Sequence, residues 1–96
     1  MKLHQKGFLL VQISRKTDAW DYDLVEQALG EYGVSGRHAI NTIRVALDEL
    51  AAGGLLERLE EKLDDGSHVG AGKVLFRYRL TDFGRARMRD TGLLTQ

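Results

Sequence analysis

From residue 73 the chain reads KVLFRYRLTDFGRARM, and Val74, Phe76, Tyr78 and Leu80 alternate with Leu75, Arg77, Arg79 and Thr81. This period of two predicts a strand with one buried face. The alternation stops at Thr81 and Asp82, either of which can cap a short helix carrying Arg85, Arg87 and Arg89. Upstream, apolar residues at 3, 9, 10, 11 and 13 fit a largely buried helix from Leu3 to Ile13. The segment KTDAW breaks that pattern. Asp21 can cap a second helix, in which Leu24, Val25, Ala28 and Leu29 form a stripe that ends near Gly30 to Gly33. Ser35 can cap a third, longer helix, with Ile40, Ile43, Leu47 and Leu50 at helical spacing and Gly53 and Gly54 at its end. LLERLEEKL then places Leu55, Leu59 and Leu63 on one face of a strand. The polar, glycine-rich stretch DDGSHVGAGK joins it to the next strand as an antiparallel hairpin. Its tip reads as a mobile loop.

Helix, helix, short glycine-containing turn, helix, hairpin, short helix is the order of a helix-turn-helix followed by a wing. Three stretches carry a family resemblance. TDAWDYDLVEQAL sits where a short first strand leads into the second helix. LDELAAGGLLERL has the leucine, glycine, leucine and arginine spacing of an exit from the third helix. YRLTDFGRARM has the tyrosine, leucine, threonine and glycine spacing of the approach to the last helix. Over roughly residues 7 to 90 the chain resembles bacterial winged helix-turn-helix regulators of the MarR and PadR kinds. The resemblance implies an α+β, mainly α fold, a winged helix-turn-helix. It is a three-helix bundle with a β-hairpin wing and a short C-terminal helix, one DNA-binding domain over residues 1–96. It also implies double-stranded DNA as partner, transcription regulation, and a homodimer on a palindromic site. The first helix and the C-terminal TGLLTQ are the expected dimer surface. There is no room for a separate effector domain, so any effector signal is expected to act through that interface.

If the third helix reads DNA, its solvent face carries the contacts. With Ile43 at the centre of the buried stripe, the apolar positions fall within about 60° of it. Arg37, His38, Asn41, Val45 and Asp48 lie opposite, beside Thr42, with Arg44 on the flank. Arginine and asparagine can grip guanine and adenine edges bidentately, and Ser35 with the free amides of the helix start suits a phosphate. In the hairpin, Lys73 and Arg77 are candidate phosphate contacts. Cross-strand pairing of Glu60 or Lys62 with Arg77 or Arg79 is the purely structural alternative. Arg85, Arg87 and Arg89 do not share one face and read as solvated charges, or as partners for a second subunit's acids. Trp20 and Tyr22 are expected to pack against the second helix and the hairpin. Gly84 is expected to let the last helix approach the hairpin closely.

Composition adds little specificity. Fourteen basic and fourteen acidic residues give zero formal net charge, which argues mildly against strong nonspecific nucleic-acid binding. The charges are segregated: residues 17–33 hold five acids and no base, and residues 73–90 hold six bases against two acids. With no cysteine there are no disulfides or thiolate-bound metals. His4, His38 and His68 lack metal-ligand spacing. Gly66, Gly70 and Gly72 precede a lysine, but no Ser or Thr and no helix follow, so a phosphate loop is excluded. Ser14, Ser35 and Ser67 have no visible base partner. No enzyme and no cofactor are expected. The N-terminus has the charge and short apolar run of a signal peptide but no cleavage site, so it is read as part of the fold of a cytoplasmic protein. The alternative function is a winged helix that binds a partner protein, which the neutral charge and acidic hairpin arm favour.

Overall fold

The apolar stripes of the helices become buried faces. In the computed structural model, which describes residues 4–93, the order is α1 (Gln5–Ser14), β1 (Ala19–Trp20), α2 (Asp21–Tyr32), α3 (Arg37–Ala52), β2 (Leu56–Leu63), β3 (Val74–Leu80) and α4 (Asp82–Asp90). The fold among these residues is α+β, with four helices and one antiparallel sheet in the order β1-β3-β2. Phe8, Leu9, Leu10 and Ile13 of α1 are buried with Leu24, Val25 and Ala28 of α2 and Ile43, Ala46, Leu47 and Leu50 of α3. Leu56, Tyr78, Leu80 and Met88 complete the same core from the sheet and α4. The apolar positions of α1 therefore serve the subunit's own interior, with Val11 partly buried against it. Leu3 and the end of TGLLTQ lie outside the described residues.

Helix ends follow local chemistry, with two corrections. Gly33 closes α2 in the left-handed conformation, φ 64°. Ser35 does not cap α3. Gly36 occupies the N-cap position at φ 96°, with no side-chain cap. Nor does Asp21 cap α2: it is the first helical residue, and its side chain turns inward. Thr81 does cap α4, its Oγ1 accepting from the Gly84 N–H at 2.9 Å and donating to the Gly54 carbonyl at 2.7 Å. A Cβ at Gly84 would collide with the Leu55 carbonyl oxygen and come within 2.8 Å of Leu80 Cδ1. Glycine is what permits α4 to lie against the start of the hairpin.

In the sheet, the expected leucine face of β2 is not observed. Leu56 is buried, but Leu59 is 41% exposed and Leu63 72% exposed. The pairing with β3 shifts between Arg58 and Glu60, so Leu59 is a bulge residue and the alternation restarts after it. On β3, Tyr78 and Leu80 are buried as the alternation predicts. Leu75, on the opposite face, is fully buried as well. That second face also carries Trp20, because Trp20 pairs with Arg77 in the β1–β3 ladder. The single buried face expected of β3 is therefore two.

Candidate nucleic-acid interface

Because Ile43, Ala46, Leu47 and Leu50 hold α3 to the core, its far side is left to solvent. Arg37, His38, Asn41, Thr42, Val45 and Asp48 are all exposed. The Thr42 hydroxyl donates to the His38 carbonyl at 2.9 Å, so it is turned toward its own helix. Ser35 is exposed just ahead of the uncapped first turn. The start of α3 faces the hairpin tip across a groove of about 470 Å³, lined by Arg37, Ile40, Asn41, Arg44, Val69 and Lys73, among others. Arg37 and Lys73 have no acidic partner among the described residues.

Arg44 does not join that exposed set. Only 19% of its side chain is exposed. Its guanidinium donates to the Val74 carbonyl and lies 3.5 Å from the Asp21 carboxylate. The same Asp21 oxygen accepts from the Phe76 N–H at 3.2 Å. One buried pair thus links the start of α2, the middle of α3 and the first residues of β3. Burial pushes the Asp21 pKa up, and the Phe76 amide and the Arg44 charge oppose that rise without cancelling it. Arg77 is likewise withdrawn, bridging Asp18 at 2.9 Å and Glu60 at 3.1 Å. Arg79 pairs with Glu57 at 2.5 Å. The cross-strand alternative therefore describes the strand arginines, and the candidate contacts Arg44 and Arg77 are both engaged by acids of the chain itself. On the other face Arg58 reaches Asp48 at 2.7 Å and lies over the Phe76 ring, while the Tyr78 hydroxyl donates to the same Asp48 oxygen at 3.1 Å.

The hairpin tip is built rather than loose. Asp64 is buried, and its carboxylate accepts from the backbone N–H groups of Gly66, His68, Val69 and Gly70 at 2.6–3.3 Å. Burial alone would raise its pKa. The four amides prevail and hold it well below the usual carboxylate range. Gly66, Gly70 and Gly72 all have positive φ, which lets the loop fold round that side chain. The glycine-rich tip does cradle an anion, and the anion is its own. Asp64 was missed in the sequence. The signal was present as an Asp two residues before a glycine at a strand end, the pattern of an Asx turn. A second tether is aromatic: Trp20 stacks on Tyr22 at 5.8 Å, Tyr22 on His68 at 3.7 Å, and Lys62 lies over both Trp20 and Tyr22.

Arg85, Arg87 and Arg89 of α4 have no acidic partner among the described residues, and Arg87 lies 5.9 Å from the Phe83 ring centre. No helix among the described residues is long and apolar enough to cross a membrane. No protein-family model, no curated protein and no solved structure matches the chain.

Proposed function

We propose that the chain is a winged-helix domain that binds double-stranded DNA through the exposed face of α3, with β2 and β3 as the wing. The observation that carries this reading is the pairing of an uncapped helix start bearing Arg37, His38 and Asn41 with the free cation Lys73 across one groove. Arg37 and Asn41 are the side chains for base edges, and Lys73 with the amides of the α3 N-terminus for phosphates. In this reading Arg44 and Arg77 hold the wing and helix in place and do not touch DNA. A cytoplasmic transcriptional regulator of the MarR and PadR kinds, acting as a homodimer, is the biological form that fits best.

Titration of random duplex DNA at several salt concentrations tests it. Affinity should fall linearly on a log–log plot, with a slope of about 0.9 per phosphate neutralised. Arg37→Ala should weaken binding and leave thermal stability unchanged. Binding that does not respond to salt, or that survives loss of both Arg37 and Lys73, would sink the proposal. One observation favours a second reading, a module that docks on a partner protein. The arginines of the wing strands are neutralised by Asp18, Asp48, Glu57 and Glu60, and Val45 stands 53% exposed in the middle of the presented face.

A further inference from the structure

β2 is an edge strand: in the order β1-β3-β2 only one of its sides is paired, and seven of its eight residues are exposed. We propose that this free edge pairs with itself. Two copies of the chain would join antiparallel, β2 to β2, about a twofold axis between Leu59 and Glu60, making one continuous sheet. The inference rests on the two-subunit part of the proposed function alone.

The strand reads LERLEEKL, and reversed against itself it matches charge to charge. Glu57 comes opposite Lys62 of the second copy and Arg58 opposite Glu61, each occurring twice by symmetry. The 72% exposed Leu63 comes beside Leu56 of the second copy. Directly opposed residues in an antiparallel pair must project from the same face. In an unbroken strand this register would set each residue against one on the other face. The bulge at Leu59 corrects the parity. From the ladder with β3, Glu57, Glu60 and Lys62 share the face of Arg79, Arg77 and Leu75, while Leu56, Arg58, Glu61 and Leu63 share the other. Every proposed pair then falls on one face.

Charged residues and a bulge ordinarily protect an edge from pairing. Here they do so in every neighbouring register. A slip of two residues one way sets Glu57 against Glu60, and the other way opposes Glu60 to Glu61, which project from different faces; parallel pairing sets each acid against its own copy. The charge pattern selects one register, as cross-strand pairs of opposite sign do. Arg58 keeps Asp48 and Lys62 keeps the Trp20 ring, because a guanidinium and an ammonium each have donors left for a second acid.

Charge reversal tests the pairing by sedimentation equilibrium, without DNA, so failure of pairing and failure of DNA reading are separate results. The unaltered chain should self-associate. Glu57→Lys alone and Lys62→Glu alone each turn two pairs repulsive and should weaken association about tenfold or more. The double variant restores opposite charges in the same register and should regain the association of the unaltered chain. Circular dichroism verifies that each variant is folded. Leu63→Lys, at a position exposed in the single subunit, gives a further loss without touching an existing ion pair. A monomeric unaltered chain, or association that neither single reversal weakens, overturns the proposal.

Discussion

At Asp64 one carboxylate meets four backbone N–H groups, and the loop's shape depends on that side chain being ionised. A carboxyl whose folded pKa is depressed contributes stability above its unfolded value of 3.8, and loses it as pH falls toward the depressed value. Asp64→Asn should flatten that acid dependence, and amide exchange at Gly66 to Gly70 should speed up. Tyr78 runs the other way. Burial pushes its hydroxyl to about 12, with Asp48 adding to the rise and Arg58 opposing it. From pH 10 to about 12 the unfolded chain has lost that proton and the folded chain has not, so stability should fall by about 2–3 kcal/mol across the window. Urea unfolding of Tyr78→Phe should lack that component. Gly84→Ala forces a methyl against the Leu55 carbonyl, and should cost about 1–3 kcal/mol by the same measurement.

Among the elements, the separation of Arg37 from Arg44 is the sharpest statement. Both are basic, seven positions apart on one helix, yet one is exposed and the other buried against Asp21 and Val74. Removing Asp21 leaves the Phe76 amide without its acceptor and the Arg44 guanidinium without its counter-charge, held by the Val74 carbonyl alone. Asp21→Ala should therefore lower stability by about 3–5 kcal/mol in urea melts, whereas Arg37→Ala should change it little. The sequence could not make this distinction. Helical periodicity set Arg44 on a flank, and the reach of an arginine stem lets a flank position turn either way. Where local chemistry decides, much is legible: the buried stripe of α3, the glycine end of α2, the Thr81 cap of α4 and the close approach at Gly84 are observed, whereas the caps expected from Asp21 and Ser35 are not. Where a partner distant in sequence decides, the reading failed. The bulge at Leu59 depends on the ladder with β3, and the second buried face of β3 depends on β1, fifty-seven residues upstream at the Trp20–Arg77 pair. Asp64 looked like one more acid because only the folded loop turns four amides toward it.

Over the whole molecule, the zero net charge conceals an uneven surface. The hairpin's arginines are matched with acids, while Arg37 and Lys73 at one groove and Arg85, Arg87 and Arg89 along α4 are unmatched among the described residues. A DNA contact through the groove alone engages few phosphates, so the salt slope should be shallow, and Lys73→Ala should reduce it by about one contact. A steep slope would instead bring the α4 arginines into the interface. One further consequence follows from the ring stack that ties the hairpin to the start of α2. Trp20 is the chain's single tryptophan, and it lies under the Lys62 ammonium at 4.4 Å and beside Tyr22. Its fluorescence is therefore a built-in gauge of hairpin docking, since anything that lifts β2 away also strips a cation from the indole. Mixing the chain with DNA and watching that emission reports whether the hairpin moves, with no label added.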